Sequence, residues 1–153
     1  MQFSNILTET LTELLLLETP IAIYQLRKGI DPEVLKKARE IGTSGKVTYD
    51  GERRGKDSQK NDYREFKFTV GEHDRKVRVR VFGKPTSSRN PTWVHCDCGD
   101  FRYRWDWVLT KKESSSLYQT KNRPPVIRNP EKKRSVCKHV AAAFDWLRKE
   151  KGI

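Results

Sequence analysis

Between Ser4 and Leu17 the apolar residues Leu7, Leu11, Leu14 and Leu15 recur at helical spacing, and Leu16 and Leu17 widen the stripe before Pro20 closes it. A second helical stretch is expected over Ile21 to Leu26, ending near Gly29. Asp31-Pro32-Glu33 then has the composition of a helix start, and that helix should run to Ile41 and stop at Gly42. Residues 50–62 (DGERRGKDSQKND) hold no apolar side chain and are expected to form an exposed loop. After them the period changes from helical to alternating. Phe66, Phe68 and Val70 share one face of Tyr63–Val70, and Val77, Val79 and Val81 share one face of Arg75–Phe82. Gly71-Glu72-His73-Asp74 supplies the turn between them, so the pair reads as a hairpin whose other face carries Lys76, Arg78 and Arg80. Thr92–Cys96 should be a third strand. Val136, Val140, Ala143, Phe144 and Leu147 form one stripe of a final helix. The pattern predicts an α+β fold: N-terminal helices, an antiparallel hairpin in a small sheet, and a C-terminal helix.

The chemistry lies where the third strand ends and the last helix begins. All three cysteines fall into two tight pairs, Cys96-Asp97-Cys98 and Cys137-Lys138-His139. A strand ending in Cys-x-Cys presents both sulfurs to one ion, and Cys-x-His at a helix start presents the other two donors. That is the tetrahedral set zinc requires, so Cys96, Cys98, Cys137 and His139 are the predicted Zn2+ ligands. Two other readings stay open at this point. The cysteines could be ordinary buried hydrophobes, and His95 could replace His139, although an alternating strand would point it away.

Composition sharpens the picture. The chain has 153 residues, 35% apolar and 34% charged, and a mean hydropathy of −0.85. A core this modest gains from a metal cross-link. Three cysteines at ligand-like spacing favour a reducing compartment, and the opening segment, with Glu9, Glu13 and Glu18, matches neither a signal peptide nor a membrane span. A soluble, cytoplasmically made protein is therefore expected, with no membrane and no small-molecule substrate.

The formal charge of +12 is uneven: residues 1–42 carry five Lys/Arg against six Asp/Glu, which leaves +13 for residues 43–153. This suggests a helical head (1–42) for protein partners, docking through Leu7, Leu11, Leu14 and Leu15, and a basic domain (43–153) that meets a polyanion. Solubility alone is the plainer explanation of the charge. Residues 99–136 form an insertion between the ligand pairs with ten Lys/Arg against four acids. The residues expected to face DNA or RNA are Lys76, Arg78, Arg80, Arg102, Arg104, Lys132, Lys133 and Arg134. Trp105 and Trp107 either stack on bases beside Arg102 and Arg104 or cap the core.

Cys-x-Cys, a spacer, and Cys-x-His opening the Ala/Val-rich helix Cys137-Lys-His-Val-Ala-Ala-Ala-Phe144 together resemble the SWIM-type zinc finger. The resemblance covers roughly residues 63–150 and implies a zinc-pinned ββα module with a C-terminal helix. The spacer is longer than in most such fingers. Its sequence, Cys96-Asp-Cys-Gly-Asp-Phe-Arg-Tyr-Arg-Trp105 and later Pro124-Pro-Val-Ile-Arg-Asn-Pro130, resembles SWIM-like proteins of tailed bacteriophages. That narrower likeness implies a virion-associated structural protein, with a freestanding nucleic-acid-binding or regulatory finger as the alternative.

Catalytic patterns are sparse. Gly42-Thr43-Ser44-Gly45-Lys46 hints at a phosphate loop, but Val47 stands where Ser or Thr should hold magnesium. Four protein ligands leave no open metal position for water. The expectation is a non-enzymatic protein.

Overall fold

A computed structural model describes residues 21–105, Leu109 and 135–153; the Arg104 side chain lies outside that description. Two short helices, α1 (Ile23–Lys28) and α2 (Pro32–Thr43), precede four strands, β1 (Val47–Lys56), β2 (Asp62–Val70), β3 (Arg75–Phe82) and β4 (Thr92–Cys96). A single π-helical turn, Phe101–Trp105, follows β4, and α3 (Lys138–Lys151) ends the described chain. The strands form one antiparallel sheet in the order β1-β2-β3-β4. This is the expected α+β class.

Each boundary has a local cause. Asp31 and Pro32 open α2, the proline sitting where its missing N–H costs no hydrogen bond. The β2–β3 turn needs positive φ at Gly71 (+82°) and Asp74 (+49°), a conformation glycine and aspartate tolerate best. In the β1–β2 connection, the Asp57 carboxylate accepts hydrogen bonds from the backbone N–H groups of Gln59 and Asn61, closing an Asx turn.

β1 overturns an expectation. Most of the apolar-free segment 50–62 is strand, and only residues 57–61 turn. Asp50 bulges out between the pairs Tyr49↔Phe68 and Gly51↔Lys67, with Gly51 at φ +111°. As an edge strand with both faces partly in solvent, β1 needs no apolar alternation to be stable.

One core lies between the sheet and the helices. Phe66, Phe68, Val70, Val77, Val79, Val81 and Val94 meet Val140, Ala143, Phe144 and Leu147 of α3, all buried. Tyr49 stacks on Trp146 at 4.5 Å between ring centroids, and Phe68 meets the same indole edge-on. Ile23, Leu26, Ile30 and Ala38 belong to that same core, so the division expected at residue 42 is crossed by continuous packing. Arg27 ties α1 to the end of the chain, donating to the carbonyls of Phe144 and Ile153. Leu7, Leu11, Leu14 and Leu15 lie outside the described residues. Among the described residues, no helix is long and apolar enough to cross a membrane.

Candidate metal centre

Cys96 ends β4 and Cys98 lies two residues beyond it. Between them, Asp97 makes two hydrogen bonds with the Lys76 backbone of β3: its carboxylate accepts from Lys76 N–H at 3.0 Å, and its N–H donates to the Lys76 carbonyl. This fixes the bend that turns both sulfurs the same way. The Phe101 N–H donates to Cys98 Sγ at 3.3 Å, and the Arg102 N–H to the Cys98 carbonyl. The π turn is thereby anchored on the second ligand. Cys137 is the N-cap of α3, and its carbonyl accepts the first helical bond from Ala141. His139 follows within the first helical turn.

These four side chains are buried, and their donor atoms all lie within 4.8 Å of one another. A tetrahedral ion with metal–sulfur bonds of about 2.3 Å spaces its sulfurs about 3.8 Å apart, so the cluster is the right size for one metal ion. His139 adds a second mark of fit. Its Nδ1 is buried without a hydrogen-bond partner, while its Cδ2–Nε2 edge faces Gly71, where an added Cβ would stand 3.1–3.2 Å away. Nδ1 is therefore the nitrogen available to an ion.

The thiols are electrostatically coupled. Hydrogen bonds from Cys137 and Cys96 pull Cys98 well below the ordinary thiol range. Burial, with two neighbouring thiols, pushes Cys137 up. Three thiols this close would not all ionise without a counter-charge, which a divalent cation would supply. His95 takes no part: it lies between Trp93 and Phe101, with ring centroids 6.4 and 5.7 Å away.

Comparison with protein-family models, curated proteins and solved structures finds no match to this chain. The metal-binding reading therefore rests on the geometry of the four residues.

The basic residues are placed differently from a simple cationic face. Glu65, on the same side of the sheet, is fully buried and gathers Arg78, Arg80 and Arg53. Arg80 is itself 8% exposed and lies over the rings of Tyr63 and Trp93. Burial raises the Glu65 carboxyl, but hydrogen bonds from Arg80 and Arg78 outweigh it and hold the pKa below the ordinary value. Arg78 and Arg80 are thus ion-paired to a buried carboxylate, and with Arg53 they leave the group net positive. Lys76 is exposed and donates to Thr69 Oγ1. Arg102 is exposed beside the Tyr103 ring. Trp105 is buried, as the core-capping alternative requires. Trp107, the Arg104 side chain, Lys132, Lys133 and Arg134 lie outside the described residues.

Glu65 and Gly71 escaped the sequence reading. Glu65 acquires its role only through strand register, which pairs it with Arg53 on one side and Arg80 on the other. Gly71 was legible as a turn residue, but nothing in its local sequence connects it to His139.

Proposed function

We propose that this protein is a non-enzymatic zinc-binding structural and interaction protein, a virion-associated component of a tailed phage whose basic surface contacts nucleic acid. The buried Cys3His cluster carries the reading. Three thiolates and an imidazole favour zinc over harder ions. A set complete in protein ligands suits a structural ion better than a catalytic one. Cys96, Cys98, Cys137 and His139 would hold the ion, joining the end of β4 to the start of α3. The resemblance of the Cys98–Cys137 spacer to SWIM-like phage proteins favours assembly in a particle after cytoplasmic synthesis, with the leucine-rich N-terminal segment meeting a protein partner.

Elemental analysis of freshly purified protein tests the central claim: about one zinc per chain is expected for a single four-ligand site, and a markedly lower content would refute it. Recovery in purified virions from the native source is the expected test of the assembly role. A second reading, a freestanding SWIM-type nucleic-acid-binding or regulatory protein, is favoured by the exposed cations of β1, Arg53, Arg54 and Lys56; absence from particles together with tight nucleic-acid binding would select it.

A further inference from the structure

Arg78 and Arg80 are packed against Glu65, and more exposed cations lie elsewhere on the sheet. At the end of the β1–β2 ribbon, Arg54, Lys56, Arg64 and Lys84 line a groove of about 500 Å³ in which Asp62 is the single acid. Asp62 holds two of these cations in place: Lys56 Nζ lies 3.1 Å from one carboxylate oxygen and Lys84 Nζ 3.4 Å from the other. Arg64 is fixed by Glu52 at 2.8 Å and lies over the Phe66 ring. Arg54 is exposed and makes no ion pair among the described residues. Gly55 and Gly83 contribute only backbone to the lining. A Cβ at Gly55 would stand 2.6 Å from the Tyr63 hydroxyl, so any side chain there would displace that ring. The result is an open trough with exposed cations and a low floor.

We propose that this groove binds the phosphate backbone of a nucleic acid, through Arg54, Lys56 and Lys84 with Arg64 behind them. The proposal rests on the nucleic-acid part of the function given above and locates it on β1 and the β3–β4 connection, away from the cysteines. Four cations against two carboxylates, Asp62 and Glu52, leave a net positive trough that matches a run of phosphates. Tyr63 is covered by Arg80 at 4.1 Å, so the contacts are to charge more than to bases, and weak sequence preference follows.

The test compares the wild-type chain with Arg54→Gln/Lys56→Gln/Lys84→Gln and with a control of exposed α2 cations, Lys36→Gln/Arg39→Gln. Fluorescence anisotropy on single-stranded DNA, single-stranded RNA and duplex DNA is read across a salt series, with zinc content and melting temperature recorded for each protein. The groove variant should keep its metal and fold, lose about tenfold or more in affinity at low salt, and show a salt slope shallower by about 2, since each single-strand phosphate contact contributes about 0.7. The α2 control should stay close to wild type. Equal affinity and slope in the groove variant and the wild type would overturn the groove and leave the nucleic-acid reading standing. Equal losses in both variants would also overturn it, by assigning the attraction to diffuse charge. No wild-type binding at low salt would remove the nucleic-acid reading together with the groove, even if anionic lipid vesicles were bound instead.

Discussion

Glu65 has three guanidinium groups around it and no solvent exposure. Glu65→Gln removes the only negative charge in that group while leaving Arg80 buried, and breaking a buried pair from one side costs about 3–5 kcal/mol. A urea-denaturation series should show that loss at neutral pH. The carboxyl is held below its ordinary value of 4.5 in the folded protein, so its contribution is present above that value and is lost as pH falls through the lower, folded-state one. Wild-type stability should therefore decline with acidification, and Glu65→Gln should flatten part of the decline. Gly71 offers a different single-residue test. Gly71→Ala and Gly45→Ala both force an L side chain into positive φ (+82° and +71°), at about 1 kcal/mol or more each. Only the Cβ at position 71 meets His139; at position 45 nothing lies within 4 Å. Chelator-competition titration should show weaker metal binding for Gly71→Ala alone, and equal affinities would separate the turn from the histidine.

At the scale of elements, β2, β3, β4 and the described helices were legible because each buries one face, and burial writes its period into the sequence. Phe66, Phe68 and Val70 declare β2; Val140, Ala143, Phe144 and Leu147 declare α3. β1 was not legible for the converse reason. Arg53, Arg54 and Lys56 are exposed, so no alternation marks them, and the strand exists because β2 offers it a hydrogen-bonding edge. The candidate metal ligands were readable because their pairing is local, two residues apart in each case. Glu65's partners were not, because they come together only across strands. Packing at the element level gives a further prediction. Phe68 is 1% exposed and touches Tyr49 and Trp146, which join β1 and α3. Phe68→Ala should destabilise the fold by about 3–5 kcal/mol, and the loss of near-ultraviolet Trp146 dichroism should accompany the shift in melting temperature.

For the molecule as a whole, the Cys3His cluster joins the sheet to α3, and the same core continues into α1 and α2. Metal affinity in such an arrangement is folding free energy. Dialysis against a strong chelator should lower the melting temperature, and circular dichroism should show helix and strand signals falling together; adding zinc back should restore them. Cys137→Ser should give the chelated behaviour without chelator, since its sulfur is buried and unreplaced by any neighbouring donor among the described residues. Unchanged melting on metal removal would show that the hydrophobic core suffices alone.

Cys98 and Cys137 are 39 positions apart in sequence, yet their sulfurs lie within 4.8 Å. A cross-link that closes so long a separation takes conformational freedom chiefly from the unfolded chain, and that entropy grows slowly with the length closed, by about 0.6 kcal/mol per doubling. An ion held by all four ligands would thus act on this fold as a disulfide does, stabilising it largely by restricting the unfolded chain.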